Sequence, residues 1–257
     1  MNLDNRVCVI TGAASGIGAA CARAFAAKGA RVVVTDINAD GTAEVAAETD
    51  GLALPCDVSV ESEINNLVAE VESSLGPVDL FFSNAAIASG SDPLSTPIDT
   101  WQKQWDVNVM SHVYAVRAVL PGMLARGEGY LVHTASMAGI LTSLGNLPYA
   151  TTKHAVVGLA EWLAITYRGQ GIRTSLLAPL GVRTPMLGDP NSPFAVSTAG
   201  PVKEPEEVAD MVVDGIEQEA FLILTDEIAQ TWMERKTLDL DRWLGGMRRV
   251  QAKMDSG

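Results

Sequence analysis

Short apolar runs rich in β-branched residues alternate along this chain with longer segments in which apolar residues recur every three or four positions. The short runs are typical of buried strands, and the longer segments are typical of helices that cover a sheet. The longest helical segments are predicted at 99–126 and 149–169. This alternation favours an α/β fold, a single doubly wound domain with a parallel seven-stranded sheet. The predicted strands lie at 6–11, 31–36, 52–56, 78–83, 129–135, 171–178 and 221–225.

Composition and charge disfavour several classes of function. The 257 residues include 18 basic and 31 acidic side chains, and the formal charge of −13 opposes binding to nucleic acid phosphates. The apolar runs are shorter than the roughly 18 residues of a membrane span, and the first strand begins too early for a signal peptide. Cys8, Cys21 and Cys56 lack metal-ligand spacing and are expected to be small hydrophobes in a reducing compartment. We therefore expect a cytoplasmic protein with no membrane or nucleic acid partner.

A glycine-rich turn, Gly12-Ala13-Ala14-Ser15-Gly16-Ile17-Gly18, follows the first predicted strand and precedes an Ala-rich helical segment. Free backbone N–H groups and the helix dipole at such a turn face an anion, so we expect a pyrophosphate site there. A glycine-rich turn alone can be a mere tight connection. The strand before it and the helix after it favour the binding site.

Asp36 ends the second predicted strand, about 20 residues after the glycine turn. An acidic side chain at this distance can accept hydrogen bonds from the ribose of an adenine dinucleotide. Its charge would repel the 2′-phosphate of NADP, and neither Ser15 nor Ile37 offers a compensating base. NAD is therefore the expected cofactor, and an ordinary strand-terminal aspartate is the alternative.

Tyr149 and Lys153 are separated by one helical turn, so they share a helix face. A free tyrosine titrates near ~10, and a value of ~7 requires roughly 4 kcal/mol of preferential stabilisation of the phenolate. One cation at ~4 Å supplies about that much in an effective dielectric of ~20. The pair can thus serve as a proton donor or acceptor; the alternative is a half-buried aromatic ring beside a solvated amine.

Together these features resemble the short-chain dehydrogenase/reductase family, over roughly Arg6 to Thr225, and imply its Rossmann-type fold. The joint occurrence of the motifs, in the family's order, is more specific than any one of them. Two positions depart from the family pattern, because Ala86 and Leu180 stand where glycines are usual. The motifs are the glycine turn with Thr11, Asp57-Val58, Ser83-Asn84-Ala85-Ala86, Asn108, Ser136, Tyr149-Ala150-Thr151-Thr152-Lys153, and Pro179 through Thr184.

The resemblance implies four catalytic residues. Ser136 would hold the substrate oxygen, Tyr149 would exchange the proton, and Lys153 would lower the tyrosine pKa and bind the nicotinamide ribose. Asn108, inside the long helix, would support a water that connects Lys153 to solvent. The cofactor would be bound by Gly12, Ser15, Gly16, Ile17, Gly18, Asp36, Asp57, Val58, Asn84, Tyr149, Lys153, Val182 and Thr184.

Other polar residues suggest weaker alternatives. His112, His133 and His154 share no ligand spacing, so no metal site is expected. Thr134 and Ser143 are rival hydroxyls near Ser136, and only the resemblance selects Ser136. No nucleophile elbow of the hydrolase type surrounds that serine.

The chain beyond the sixth strand departs from regular patterning. Six of the 12 prolines lie between positions 179 and 205, so residues 180–204 are expected to form a substrate loop over the crevice, with an inert surface loop as the alternative. We assign 1–225 to a dinucleotide-binding catalytic domain and 226–257 to its helical C-terminal extension. The tail carries an apolar helix face from Leu240 to Met254, interrupted by Gly245-Gly246. We expect it to pack near the open end of the substrate crevice.

The combined interpretation is an NAD-dependent short-chain alcohol dehydrogenase or ketone reductase. Segments 86–88, 137–148 and 186–187 contain no ionisable side chain, which favours a small neutral apolar alcohol or ketone. The helix at 149–169 is apolar on more than one side, so a homo-oligomer is expected, either a dimer or a homotetramer. The alternatives are a lyase on the same scaffold and a non-catalytic nucleotide-sensing or interaction protein.

Overall fold

The computed structural model describes residues 1–187 and 200–256. Its seven strands form one sheet in the order β3-β2-β1-β4-β5-β6-β7, with every neighbouring pair parallel. The predicted fold class is confirmed. The strands are β1 Val7–Thr11, β2 Arg31–Thr35, β3 Leu52–Ala53, β4 Leu80–Ser83, β5 Gly129–Thr134, β6 Ile172–Ala178 and β7 Leu222–Leu224.

Helices cover both faces of the sheet because the strands are apolar on both sides. One apolar cluster joins the sheet to α1 and α8, and a second joins the other face to α3 and α5. The helices are α1 Gly16–Ala27, α2 Ala39–Thr49, α3 Glu61–Leu75, α4 Ile98–Trp105, α5 Ser111–Arg126, α6 Ala138–Leu141, α7 Leu147–Tyr167, α8 Pro205–Glu217, α9 Glu227–Leu238 and α10 Leu240–Met254.

The strand order reverses at β1, which lies between β2 and β4. In an open parallel sheet, ligands bind outside the carboxyl ends of the strands at this reversal. The glycine turn follows β1 at this edge, and Asn84 follows β4. The fold therefore brings the two predicted cofactor motifs to one crevice.

Two helical predictions needed correction. The segment predicted at 99–126 is divided by a π-helical turn, Asp106–Met110, between α4 and α5. In the tail, Gly245-Gly246 does not interrupt α10, since the helix runs through both glycines to Met254. Its first turn is capped by Asp239, whose side chain accepts a hydrogen bond from the Arg242 N–H at 2.9 Å.

The two described ends of the proline-rich segment lie side by side. Val182 pairs with Lys203 in an isolated parallel bridge, and the Arg183 N–H donates to the Lys203 carbonyl at 2.9 Å. Residues 188–199 of the predicted substrate loop lie outside the described residues. Across the described ranges, none of the helices has both the length and the apolar character of a membrane span.

Candidate active site

The glycine turn is shaped by backbone conformation and close packing. Gly12 and Gly16 have φ of 63° and 53°, which other residues rarely adopt. A Cβ at Gly18 would lie 2.2 Å from the Gly12 carbonyl oxygen, so this glycine permits the turn to pack on the helix that follows. Ser15 is the N-cap of α1 but makes no side-chain capping bond. The first turn of α1 thus keeps backbone donors for an anion.

The acidic residues beside the turn lie at the same crevice. The Asp36 carboxylate accepts from the Ala14 N–H at 3.2 Å and from the Asn38 N–H at 3.0 Å, which ties the end of β2 to the glycine turn. The Asp57 carboxylate accepts from the backbone N–H and the hydroxyl of Ser59 at 2.9 and 2.6 Å. Both carboxylates line the cavity, together with Ile37 and Val58.

Asn84 connects three strands beneath this cavity. Its Nδ2 donates to the carbonyl of Thr11 at 3.0 Å and to that of Gly12 at 3.3 Å. Its Oδ1 accepts from the Thr134 hydroxyl at 3.0 Å. The side chain therefore fixes the glycine turn relative to β5. The hydroxyl of Thr134, a rival to Ser136 in the sequence, is engaged in this contact.

Ser136, Tyr149 and Lys153 meet in the same cavity. The Ser136 Oγ accepts from the Ala138 N–H at 3.1 Å and donates to the Pro179 carbonyl at 3.4 Å. Tyr149 lies in the first turn of α7, where its N–H donates to the capping Asn146 side chain at 3.1 Å. Helix geometry then places Lys153 on the same face, with its Nζ 5.6 Å from the centre of the tyrosine ring.

The ionisation state of the pair differs from the expectation of a lowered tyrosine pKa. Burial raises the pKa of the Tyr149 phenol, and the neighbouring Ser136 hydroxyl acts in the opposite direction. Burial also lowers the pKa of the Lys153 ammonium to about 7. The Lys153 Nζ donates to the Thr134 carbonyl at 2.8 Å and faces the tyrosine ring. Desolvation is therefore the main influence on both groups in this arrangement.

Asn108 lies in the π-helical turn and is fully buried. Its Oδ1 accepts from the Ile87 N–H at 2.8 Å, and its Nδ2 donates to the Ile87 carbonyl at 2.9 Å. The same Nδ2 donates to the Thr152 hydroxyl at 3.1 Å. The carboxamide thus joins the loop after β4 to α7. Its predicted support of a water stays a prediction.

The described residues that follow β6, within 179–187, line the cavity beside the glycine turn. Val182 and Thr184 both line the cavity, and the methyl of Thr184 lies 2.9 Å from the place that a Cβ would occupy on Gly16. Leu180 stands where the family usually has glycine, and its N–H donates to the Thr225 hydroxyl at 3.2 Å. The loop accommodates this leucine by packing it against the cluster that contains Trp232.

One cavity of about 1100 Å³ joins the glycine turn, Tyr149 and the C-terminal helices. The three uncharged segments, 86–88, 137–148 and 186–187, contribute to its wall. Ser143, in the second of these segments, is one of the lining residues. The tail contributes as well: Lys236 of α9 donates to the Ile140 carbonyl, and Trp232 packs beside α6. Charged lining residues on α4 had no signal in the sequence. The apolar tail residues at the cavity are Trp232, Trp243, Met247 and Val250, and the charged ones on and just after α4 are Asp99, Lys103 and Asp106.

The three cysteines are buried and unpaired, as small hydrophobes in the core. Burial raises the pKa of Cys56 to about 12, which opposes a thiolate role at the cavity. In the described ranges, no three His, Cys, Asp or Glu side chains converge as metal ligands.

Comparison with known proteins adds independent information. A family model described as short chain dehydrogenase matches residues 6–193. A 1-deoxy-11-beta-hydroxypentalenate dehydrogenase of Streptomyces avermitilis is 35% identical over 252 residues, which cover 95% of this chain and 93% of that protein. A 2,5-dichloro-2,5-cyclohexadiene-1,4-diol dehydrogenase of Sphingobium indicum is 36% identical over 190 residues, covering 72% of this chain and 76% of that protein.

The fold also matches solved structures over nearly its whole length. A short chain dehydrogenase/reductase of Burkholderia phymatum in complex with NAD gives a TM-score of 0.85 at 27% identity, covering 94% of this chain and 96% of that one. A 3-ketoacyl-(acyl-carrier-protein) reductase of Brucella melitensis complexed with NADH gives a TM-score of 0.80 at 27% identity. The alignment covers 86% of this chain and 96% of that reductase.

Proposed function

Because this chain belongs to the short-chain dehydrogenase/reductase family, we propose that it is an NAD-dependent oxidoreductase that interconverts a hydrophobic secondary alcohol and its ketone. One observation carries this proposal: Ser136, Tyr149 and Lys153 line the same cavity as the glycine turn and Asp36. Hydride transfer needs the reacting carbon to lie between a nicotinamide and an acid–base group, and this cavity offers both positions.

The residues divide the work as follows. The Ser136 hydroxyl binds the substrate oxygen, and the Tyr149 phenol gives a proton to that oxygen in reduction or takes it in oxidation. Lys153, held at the Thr134 carbonyl, favours the phenolate while its own amine is protonated. When bound, the nicotinamide would accept or donate the hydride. Asn108 holds α7 in place through its hydrogen bond to the Thr152 hydroxyl.

The residues present fit a dinucleotide. Gly18 leaves room for close packing of the turn, and the uncapped start of α1 offers donors to the pyrophosphate. Asp36 would accept hydrogen bonds from the adenosine ribose hydroxyls, with Asp57 and Val58 beside the adenine end. Val182 and Thr184 would hold the carboxamide side of the nicotinamide. The Asp36 charge and the apolar Ile37 favour NAD over NADP.

The proposed substrate class follows from the walls of the cavity. Met137 and Leu141 face it from the core, Leu187 faces it from the segment after β6, and Trp232 and Trp243 face it from the C-terminal extension. Such walls favour a neutral apolar molecule, and two tryptophans favour a ring-containing one. Two of the similar dehydrogenases are named for cyclic molecules, a pentalenate and a cyclohexadiene diol. The acidic and basic groups on and just after α4 would contact a polar end of the substrate.

The proposal also includes a cytoplasmic homo-oligomer, a dimer or a tetramer. Trp162 and Ile165 of α7 are 56% and 83% exposed, although the opposite side of the same helix packs in the core. A second copy of the chain would remove this apolar area from water.

The test is an NADH-absorbance screen of purified protein with NAD and a graded series of cyclohexanol, decalol and borneol. Turnover that rises with ring size supports the proposal, and the Tyr149→Phe variant controls for nonspecific reduction. Saturable NAD binding without turnover of any alcohol or matching ketone would instead favour the nucleotide-sensing alternative.

A further inference from the structure

Two histidines that take no part in the proposed chemistry, His112 and His133, face each other in the core. His112 lies on α5 and His133 on β5, and their side chains are 0% and 1% exposed. Their Nδ1 atoms are 2.9 Å apart, and the ring centres are 5.2 Å apart with the planes tilted by 31°. This geometry is a direct hydrogen bond between two imidazoles.

The bond fixes how protons are distributed over the two rings. A contact between two Nδ1 atoms holds one proton, so one neutral ring is protonated at Nδ1 and the other at Nε2. Neither Nε2 atom has a partner within the described ranges. The contact is therefore the one hydrogen bond that these buried rings make there, and its loss would leave further polar atoms unpaired.

The surroundings keep the pair neutral. Burial lowers the pKa of His133 to about 4. Burial also lowers the pKa of His112 well below its ordinary value, and the nearby His133 and Lys153 lower it further. At neutral pH the pair is uncharged and accepts no further proton, so its hydrogen bond can hold α5 and β5 together.

The two elements joined by the pair also carry catalytic residues. His112 lies one helical turn after Asn108, on the helical run that continues from the π-helical turn into α5. His133 directly precedes Thr134, whose carbonyl accepts the Lys153 ammonium at 2.8 Å. A change in the spacing of α5 and β5 would thus move Asn108 relative to the acceptor of Lys153.

We propose that His112 and His133 are positioning residues, whose mutual hydrogen bond sets the spacing between the helical run of Asn108 and the Thr134 carbonyl that orients Lys153. The link to catalysis rests on the proposed function. The hydrogen bond and the environment of Lys153 do not depend on the proposed function, and both can be observed without any substrate.

The first experiment is NMR of the full chain with ¹⁵N-labelled histidine, using His154→Gln to identify the signals of the third histidine. We expect the other two rings to show opposite tautomers and no titration between pH 5 and 8. Two identical tautomers, or titration of both rings in that range, would overturn the inference.

The second experiment follows Lys153 by ¹³Cε-lysine NMR, with its signal identified by its loss in Lys153→Met. In His133→Leu we expect the Thr134 carbonyl to shift away from Lys153 and admit water beside the amine, so that the Lys153 midpoint rises from its wild-type value toward the ordinary lysine value of about 10.4. His133→Asn should keep the wild-type midpoint, since its carboxamide can occupy the place of Nδ1. His154→Gln, at an exposed position, is the matched control.

A folded His133→Leu variant with an unchanged Lys153 midpoint would refute the positioning role. If that variant does not fold, the double variant His112→Leu/His133→Leu, which leaves no unpaired ring, should show the same rise. If neither folds, opposite tautomers in wild type with a wild-type midpoint in His133→Asn support the inference, and a shifted midpoint in His133→Asn overturns it.

Activity provides the link to catalysis. With the alcohol that wild type oxidises best, kcat of His133→Leu should be about tenfold lower than that of wild type. Its affinity for NADH should stay within about twofold of the wild-type affinity. In His133→Asn, kcat should return toward the wild-type value. Unchanged kcat in a folded His133→Leu would break the link. If wild type oxidises none of the alcohols, the proposed function fails, while the two NMR experiments still test the positioning.

Discussion

The Nδ2 of Asn108 donates to the Thr152 hydroxyl at 3.1 Å, although 44 residues separate the two positions. That hydroxyl donates in turn to the carbonyl of Tyr149 at 2.9 Å. Thr152 is 1% exposed, so its hydroxyl makes these two hydrogen bonds away from solvent. A buried threonine between the two proposed catalytic positions of α7 thus links the π-helical turn to the backbone of the tyrosine.

We expect Thr152→Val to lower kcat by about tenfold, because the isosteric methyl leaves one N–H of the Asn108 carboxamide unpaired and removes the link to the Tyr149 carbonyl. Thr152→Ser keeps the hydroxyl and should retain most of the activity. Steady-state kinetics and thermal unfolding of both variants separate positioning from stability. Equal kcat in the valine and serine variants would show that the hydroxyl has no such role.

Replacing Tyr149 with phenylalanine removes the proposed proton donor and keeps the ring. Turnover should fall by at least ~10²–10⁴, as for other general acid–base groups, while NAD still binds. In wild type, alcohol oxidation needs the phenolate, and burial raises the phenol pKa. The rate of oxidation should therefore rise as pH increases above neutrality, and ketone reduction should fall over the same range. A correctly folded phenylalanine variant with near-native turnover would remove Tyr149 from the mechanism.

Asp36→Ala combined with Ile37→Arg should reduce or reverse the preference for NAD. The change removes a carboxylate that would repel the 2′-phosphate and adds a cation at a side chain that is 73% exposed beside the cavity. The measurement is kcat/KM with NAD and with NADP for both proteins. Ile37→Arg alone is the control, since it retains Asp36. A wild-type enzyme that already prefers NADP would contradict the electrostatic argument.

Much of the fold could be predicted from the sequence because local patterns encode it. The β-branched runs marked all seven strands, and spacing along one helix placed Tyr149 beside Lys153. The π-helical turn had no such signal, since it depends on Asn108 reaching Ile87 across the chain. The histidine pair was missed for the same reason: its two rings come from a helix and a strand that only the tertiary fold brings together.

Ionisation was harder to predict than position. Spacing along a helix carries no measure of burial, and burial raises the pKa of Tyr149 and lowers that of Lys153. The predicted interruption of the tail helix at Gly245-Gly246 was also wrong. A Gly-Gly pair lowers helix stability, but it does not prevent a helix that packs on the protein. Trp243 of this helix packs against the apolar cluster around Met137 and Leu141.

Assembly can be tested on the exposed face of α7. Ile165→Asp should shift the protein toward smaller species in light scattering, because a charge replaces an apolar side chain that is 83% exposed in one copy. Leu238→Asp is the matched control, since Leu238 is 85% exposed on a different helix. A wild-type monomer at working concentrations, or equal dissociation of both variants, would remove this face as the contact between copies.

The C-terminal extension offers a test of the substrate wall. Trp243 of α10 lines the cavity and packs with the cluster around Met137 and Leu141, whereas the adjacent Leu244 is 47% exposed and does not line it. Trp243→Ala should raise KM for the largest alcohol in the screen by about tenfold, the equivalent of about 1.4 kcal/mol of lost contact. NAD affinity should not change, because the residues proposed to bind the cofactor lie on other elements. Leu244→Ala should alter neither constant. Equal effects of the two substitutions on KM would mean that α10 contributes only to stability. If Trp243→Ala weakened NAD binding more than it raised KM for the alcohol, the tail would instead lie against the cofactor.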